Sequence, residues 1–149
     1  KVSYGSPSVR GRAIFGVLEP WGKVWRTGAN AATTLTTTAA ITVGGRNLPA
    51  GAYSLWILPT PTAWTLIINK QTLAACGASC PPERAPLWGT DYSPDSDLVR
   101  VPMLVEASPG LIERFWINFA PKSGLTGESA LLTFAWDHTR ASVEIRKPR

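Results

Sequence analysis

Glycine and proline interrupt this sequence so often that they limit the length of any regular element. Thirteen of each are spread along the 149 residues, and the apolar stretches between them are short. Several stretches, such as residues 33–38, are rich in β-branched residues and poor in helix formers. No segment has the periodicity of a convincing helix. The pattern predicts an all-β fold, a single-domain antiparallel β-sandwich of jelly-roll type with about nine or ten short strands.

One hairpin is the clearest local prediction. Residues 52–58 and 64–69 both have strand patterns, and a proline-rich turn joins them. The first of these strands is apolar on both faces, because Trp56 and Leu58 alternate with a second apolar row. It should therefore lie either at the centre of a two-layer structure or beside a pocket.

The second half of the chain adds further strands after a long irregular segment. Pro102 lacks a backbone N–H, so its strand should lie at a sheet edge. No linker or internal repeat divides the chain, so residues 1–149 are predicted to form one domain with a long loop at residues 70–97. The strands predicted in this half cover residues 98–105, 113–120, 130–136 and 141–145.

The net charge of +5 is modest but unevenly distributed. A nucleic-acid-binding domain is expected to carry a dense basic stripe or a recognisable module motif, and neither is present. The alternatives are a solvated cationic surface and a site for an anionic partner or lipid headgroup. No Asp or Glu occurs between Glu19 and Glu83, whereas that window contains Lys23, Arg26, Arg46 and Lys70.

Neither a membrane anchor nor a leader can be recognised in the sequence. No apolar run approaches the length of about 18 residues that indicates a membrane-spanning helix. The chain begins in a strand-like segment at residues 2–4, with no visible signal peptide before it. We therefore expect no membrane-spanning segment, and we expect the sequence to be a processed or trimmed product.

Two cysteines, Cys76 and Cys80, lie in the same loop. A zinc site would need further Cys or His ligands, and His138 is the only histidine. Two interpretations remain: a local disulfide, which would indicate an oxidising compartment, and two free thiols in a cytosolic loop. The disulfide is the more economical, and closing so small a loop would mainly stiffen it.

Candidate binding residues lie in two loop-rich segments. Arg26 and Asn30 would present a guanidinium and an amide to an anionic or carbonyl-bearing ligand. In the alternative interpretation Arg26 pairs with an acid such as Glu19 or stacks on a tryptophan, and Asn30 satisfies the backbone of a turn. The candidate set is Trp21, Lys23, Arg26, Asn30, Trp88, Asp91 and Tyr92. Of the tryptophans, Trp21 and Trp88 are expected to be exposed, and the core is expected to contain Trp25, Trp56, Trp116 and Trp136.

The titratable residues do not form a recognisable catalytic motif. Asp91, Asp95 and Asp97 have two functional interpretations, glycosidic acid–base chemistry and calcium binding. Their Ser-Pro-Asp-Ser-Asp context is also a usual turn composition, and the spacing does not fit an EF-hand. His138 has no serine in a nucleophile context to complete a triad. We therefore predict no catalytic residue, no metal and no cofactor.

A family resemblance rests on motifs spread along most of the chain. Up to about Trp136 the chain resembles the bacterial DUF2911 family. The resemblance implies an all-β domain, commonly exported behind a signal peptide or a lipoprotein anchor, with no established activity. In order, the motifs are RGR (10–12), PWG (20–22), VWRTGAN (24–30), LPAG (48–51), WTLIINK (64–70) and WGTDY (88–92).

One departure from the family pattern concerns Ala31. The family usually has an acidic residue after the Gly-Ala-Asn of its motif, and this chain has alanine there. If the family's site used that carboxylate as an acid, a base or a metal ligand, this chain has lost it. The departure favours a function without catalysis.

Together these observations predict a non-catalytic binding or scaffolding module in the periplasm or another extracytoplasmic location. Its most concrete form is an extrinsic subunit that stabilises a larger membrane-protein complex from the periplasmic side, with a protein as its partner. One alternative is a small-molecule or glycan-binding domain, with the ligand between Arg26 or Asn30 and residues 91–97. The other is a hydrolase that uses the Asp cluster.

Overall fold

A computed structural model describes residues 1–73, 79, 87–122 and 128–148. The described part is built from strands and two short 3₁₀ turns, Gly89–Asp91 and Pro94–Ser96. Cys76 and Cys80 lie outside the described residues, so the predicted disulfide stays a prediction. The nine strands of the described part are β1 Val2–Ser3, β2 Thr33–Thr37, β3 Ile41–Val43, β4 Arg46–Leu48, β5 Gly51–Pro59, β6 Trp64–Asn69, β7 Asp97–Pro102, β8 Leu104–Pro121 and β9 Ser129–Arg146.

The strands form two antiparallel sheets, which confirms the predicted β-sandwich. One sheet has five strands in the order β1-β2-β5-β6-β7, and the other has four in the order β4-β3-β9-β8. The main core lies between them and contains aliphatic and aromatic side chains from both sheets. Pro102 lies in β7, at the edge of its sheet, where its missing N–H costs no ladder hydrogen bond.

The boundaries of the four strands predicted in the second half were wrong. Residues 98–105 are not one strand, because the chain leaves the first sheet after Pro102 and enters the second at Leu104. Conversely, residues 130–136 and 141–145 belong to one continuous strand, β9, and β8 is as long, at 18 residues each. The turn-forming residues that suggested a break are absorbed where the β8–β9 register shifts, and Asp137 there has a φ of 55°.

The β5–β6 hairpin is confirmed, and its burial explains why β5 is apolar on both faces. Leu55 and Ile57 face the main core, whereas Trp56 belongs to a second apolar cluster outside the five-stranded sheet. That cluster is covered by Leu87 and Tyr92, whose ring lies 4.9 Å from that of Trp56. Residues 87–92 therefore form a second layer over β5.

Residues 4–32, which we call the N-terminal segment, contain no strand. Isolated bridges hold the segment instead. Ser8 pairs with Arg114 of the four-stranded sheet, and Trp25 pairs with Ile57 of the five-stranded sheet. Because its two ends attach to different sheets, the segment crosses between them and closes one side of the core.

The side chains of the N-terminal segment complete an aromatic cluster in that core. Trp25 stacks on Trp136 with ring centroids 6.0 Å apart and planes 18° apart, and it meets Phe115 edge-on at 5.2 Å. Phe15 packs against Trp64 at 4.7 Å. Aromatic pairs of this kind contribute about 0.5–1.5 kcal/mol each beyond the area they bury. The prediction of four core tryptophans was wrong for Trp116. This residue is only half-buried and lies opposite Ala135.

Gly5 gives a test of how closely the N-terminal segment is packed. A methyl group there would overlap the backbone carbonyl of Ala29, which cannot move without displacing the loop that follows Trp25. Gly5→Ala should therefore lower the free energy of unfolding by about 1–3 kcal/mol in a urea titration. Gly110→Ala is the control, since a methyl there meets no atom within 4 Å, and it should change stability by less than about 0.5 kcal/mol. Equal effects of the two substitutions would contradict the packing described.

Candidate functional site

The loop at residues 26–32 contains the distinctive RTGAN sequence and interrupts the pairing of this part of the chain with β5. Trp25 pairs with Ile57 of β5, and the pairing with β5 resumes at Thr33 opposite Leu55. The base of the loop is closed by Thr33, whose N–H donates to the Arg26 carbonyl at 3.4 Å and whose hydroxyl donates to the Thr27 carbonyl at 2.6 Å. The loop is thus fixed at both ends by β5.

Two residues of this loop have backbone conformations that side chains with a Cβ seldom adopt. Thr27 has a φ of 60° and is fully buried, and Asn30 has a φ of 62° and is exposed. Asparagine tolerates this region, but for a β-branched residue it is a true outlier that costs about 1–3 kcal/mol. Thr27 is kept there by its hydroxyl, which donates to the Trp25 carbonyl at 3.2 Å. Strained backbone conformations of this kind cluster at active sites, ligand clamps and switch regions.

The other side of the loop is in direct contact with residues 87–91. The Ala32 N–H donates to the Leu87 carbonyl at 2.7 Å, and Ala31 forms a bridge with Trp88. The Arg26 side chain lies against Gly89, with Cδ only 3.0 Å from the place that a Cβ would occupy. The sequence suggested a ligand site between Arg26 and residues 91–97. Part of that space is occupied by the backbone contacts between residues 31–32 and 87–88 and by the aliphatic part of the Arg26 side chain.

The acidic residues of the predicted Asp cluster have structural partners. Asp91 accepts a hydrogen bond from the Trp88 N–H at 2.9 Å and so closes the first 3₁₀ turn. Asp97 accepts hydrogen bonds from Asn69, from the Tyr92 hydroxyl and from Arg100 at 2.8–3.1 Å. Burial, and then the hydrogen bond to Asp97, raises the pKa of Tyr92 to about 12. Asp95 is exposed in the second turn. The contacts of Asp91 and Asp97 fix the covering layer over β5.

A cationic groove of about 600 Å³ opens beside Asn30, and we call it the arginine groove. The pairing of Ser8 with Arg114 brings the two parts of its lining together. The adjoining turn at Val9–Arg12 is closed by a hydrogen bond of 3.1 Å from the Arg12 N–H to the Val9 carbonyl. Arg10 and Gly11 both have positive φ, of 51° and 67°, which a type I′ turn requires. The lining residues are Ser6, Pro7, Ser8, Arg10, Arg12, Ala29, Asn30 and Arg114.

A second surface, which we call the apolar tip, consists of Val17, Leu18 and Trp21. These side chains are 67%, 41% and 41% exposed. The turn that carries them is held by short-range hydrogen bonds, such as that from the Gly16 N–H to the Glu19 carbonyl at 2.8 Å. Trp21 covers Gly16, where a Cβ would lie 2.5 Å from its indole nitrogen. Lys23 is exposed beside the tip.

Glu19 lies half-buried in the turn that carries the apolar tip. Burial raises the pKa of its carboxyl group to about 7, and attraction to Arg26 opposes that rise. Arg26 and Glu19 do not form one of the ion pairs found among the described residues, so this attraction acts over a longer distance than the pairing predicted from the sequence. Near neutral pH the carboxyl group is therefore divided between its charged and uncharged forms.

In the described ranges, no three His, Cys, Asp or Glu side chains converge as a metal site would require. The same part of the chain contains no helix with the length and hydropathy needed to cross a bilayer.

Comparison with known proteins identifies the family. The sequence model of DUF2911, described as a protein of unknown function, matches residues 1–145. The chain belongs to the DUF2911 family. No curated protein and no solved structure matches it. In this DUF2911 domain the RGR and GAN parts of the recognised pattern meet in the arginine groove, because Arg10, Arg12, Ala29 and Asn30 line it together.

Four of the seven candidate residues chosen from the sequence lie on three separate surfaces of the DUF2911 domain. Trp21 and Lys23 lie at or beside the apolar tip, Asn30 lines the arginine groove, and Trp88 is exposed at the contact with Ala31. Arg26, Asp91 and Tyr92 contact other parts of the fold.

Sequence reasoning missed the three arginines of the groove and two of the three side chains of the tip. Arg114 lies in the groove only because β8 pairs with Ser8, and no local pattern indicates a contact over such a sequence separation. The tip had a weak signal, an apolar pair inside a turn-rich segment. The missed residues are Arg10, Arg12, Arg114, Val17 and Leu18.

The pKa of Glu19 predicts a pH dependence of stability. Its folded pKa lies above the unfolded value of 4.5, so the folded state retains a proton that the unfolded state releases. Its contribution to stability is therefore full below about pH 4.5 and is lost as the pH rises towards 7. Glu19→Gln should remove this loss and become more stable than the wild type above pH 7, by about 1 kcal/mol after solvent screening is allowed for.

Urea titrations of wild type and Glu19→Gln between pH 4 and pH 8 measure the effect. Glu106→Gln removes the same charge from the exposed surface of β8 and is the matched control. A stability difference between wild type and Glu19→Gln that is the same at every pH would contradict the burial of this carboxyl group.

Proposed function

We propose that this DUF2911 domain is a non-catalytic extracytoplasmic scaffolding module whose apolar tip docks on a protein partner. The proposal rests mainly on one observation, the exposure of Val17, Leu18 and Trp21 on a turn whose conformation is already fixed. A rigid apolar surface loses little conformational entropy on binding. Contiguous exposed apolar side chains on a folded domain mark interaction sites more often than a scattered apolar residue does.

The position of the tip supports docking rather than an accidental exposure. Trp21 packs edge-on against Trp64 at 6.5 Å, and the N–H of the next residue, Gly22, donates to the Pro59 carbonyl at 2.8 Å. The tip is thereby joined to the end of the β5–β6 hairpin. Val17 and Leu18 project beyond this support, and burying two such side chains contributes about 1.5–3 kcal/mol each.

The structural use of the acidic residues supports a function without catalysis. Asp91 and Asp97, which a hydrolase would require to be available, accept hydrogen bonds that hold the layer over β5. His138 is exposed, and its Nε2 lies 3.9 Å from Asp137 on the same strand. Ala31, at the position where the family pattern has an acid, forms a backbone bridge with Trp88.

The partner is proposed to be a membrane-protein complex, with the domain bound as an extrinsic subunit on its periplasmic face. An apolar tip flanked by Lys23 suits such a surface, since it combines apolar contact with attraction to acidic groups at its rim. The extracytoplasmic location is carried over from the family resemblance and from the predicted Cys76–Cys80 disulfide.

Affinity capture from native membranes in mild detergent tests the proposal. The wild-type domain should retain a defined set of membrane proteins, and a Val17→Ser/Leu18→Ser variant should retain at least about tenfold less, since the two side chains together exceed the 1.4 kcal/mol of a tenfold change. Leu104→Ser is the matched control, because Leu104 is 61% exposed on β8 and lies outside the tip. Near-ultraviolet circular dichroism should show that all three proteins are folded.

Two results would count against the docking surface. A wild-type domain that fractionates alone from native membranes has no such partner. Equal retention by the tip variant and by Leu104→Ser would show that the tip does not contact the partner.

The oxidation state of the cysteines tests the proposed location separately. Protein isolated without reductant, with thiols blocked before lysis, should have lost the two thiol hydrogens when its intact mass is measured. Two blocked thiols at Cys76 and Cys80 would indicate a reducing compartment and would contradict an extracytoplasmic location.

A further inference from the structure

We propose that the arginine groove binds a small phosphate-type dianion, either free or at the end of a phosphomonoester. The groove is built from different side chains than the apolar tip, so this binding site goes beyond the docking function. Four observations carry it: the charge of the lining residues, the fixed position of one guanidinium, the neutral donors beside it, and two unusual backbone conformations.

The charge balance of the arginine groove favours a dianion. Arg10, Arg12 and Arg114 line it, and the ion pairs formed among the described residues all involve other side chains. The nearby acid, Glu113, uses its carboxylate to accept a hydrogen bond from the backbone N–H of Arg10 at 2.9 Å. Three positive charges and one negative charge leave a local excess of two, which a dianion neutralises.

Arg12 is held in place before any ligand binds. Its Nε donates to the Val9 carbonyl at 2.9 Å, and its Nη2 donates to the Ser8 carbonyl at 2.5 Å. These bonds use two of the five guanidinium N–H donors and leave three. Because the side chain is already ordered, an oxyanion that accepts from it does not have to immobilise a long flexible chain.

Neutral donors lie beside the charged groups. Ser8 and Asn30 line the same groove and supply a hydroxyl and an amide. The Ser6 hydroxyl donates to the Phe115 carbonyl at 2.6 Å, which ties the start of the lining to β8. A phosphate has more acceptor sites than one arginine can fill. A mixed set of donors therefore suits a phosphate ligand better than it suits a carboxylate ligand.

Two separate segments of the lining contain a residue with positive φ, and the conformation of Arg10 is the strained one. Arg10 has a φ of 51° and Asn30 a φ of 62°, and both residues lie in the groove. An arginine in the left-handed region is unfavourable, and such conformations persist where the surrounding structure imposes them. The groove volume of about 600 Å³ leaves room for an organic group attached to the phosphate.

Isothermal titration calorimetry of the full chain with inorganic phosphate, at constant ionic strength, tests the site. We expect saturable binding to the wild type, binding of sulfate in the same range, and binding of acetate at least about tenfold weaker. Glycerol 3-phosphate distinguishes the source of the dianion: tighter binding than inorganic phosphate assigns the site to a phosphomonoester, and equal binding assigns it to free phosphate.

Substitutions on the exposed edge strand keep the test independent of folding. Arg114→Gln should weaken phosphate binding at least about tenfold, and Arg114→Lys should bind with intermediate affinity because it restores the charge without the planar fork. Arg46→Gln on β4 removes the same charge outside the groove and should bind like the wild type. The proposal is overturned by wild-type heats that match a chloride control, by acetate binding as tight as phosphate, or by unchanged binding in Arg114→Gln.

Discussion

The packing of Trp25 is the constraint on which the rest of the structure depends. Its indole stacks on Trp136 of the four-stranded sheet, while its backbone forms hydrogen bonds of 2.8 and 3.0 Å with Ile57 of the five-stranded sheet. One residue therefore joins both layers of the sandwich. Trp25 also limits the movement of its neighbours in the chain. The turn with the apolar tip precedes it, and the strained loop at residues 26–32 follows it directly.

This arrangement explains how a segment without strands can present defined surfaces. A free loop of almost thirty residues would lose much conformational entropy on binding, whereas here the ordering has already been paid for by folding. Val9, Ile14 and Trp25 are buried in the core, and mostly exposed residues lie between them. The arginine groove and the apolar tip are both formed where the chain emerges between these buried anchors.

The fold was predictable because its signals are local. Turn residues at Gly44–Gly45, both with positive φ, and the strand-forming residues of β5 and β6 specify strands and hairpins within a few residues. The split at Met103 could not be predicted, since the sequence pattern is continuous there and only the packing of the two sheets separates β7 from β8. Trp116 was misplaced for a similar reason, because a strand pattern does not say which face is covered.

The candidate surfaces were harder to predict than the fold. Arg26, Asp91 and Tyr92 have the chemistry of ligand-binding residues, yet their contacts are structural. Arg26 lies against Gly89, Asp91 closes its own 3₁₀ turn, and Tyr92 packs on Trp56. The groove depends on the contact of Arg114 with Ser8, which joins positions more than a hundred residues apart. Long-range pairing of this kind leaves no trace in local periodicity.

We expect the N-terminal segment to be as firmly folded as the strands it joins. Native-state hydrogen exchange measures this directly at the amides of Val9, Glu19 and Trp25, which donate to Glu113, Ile14 and Ile57. These amides should exchange only through global unfolding, with the same opening free energy as amides at the centre of β5 and β6. Exchange through local opening, much faster than that of the β5 and β6 amides, would contradict the claim that this segment is a fixed part of the core.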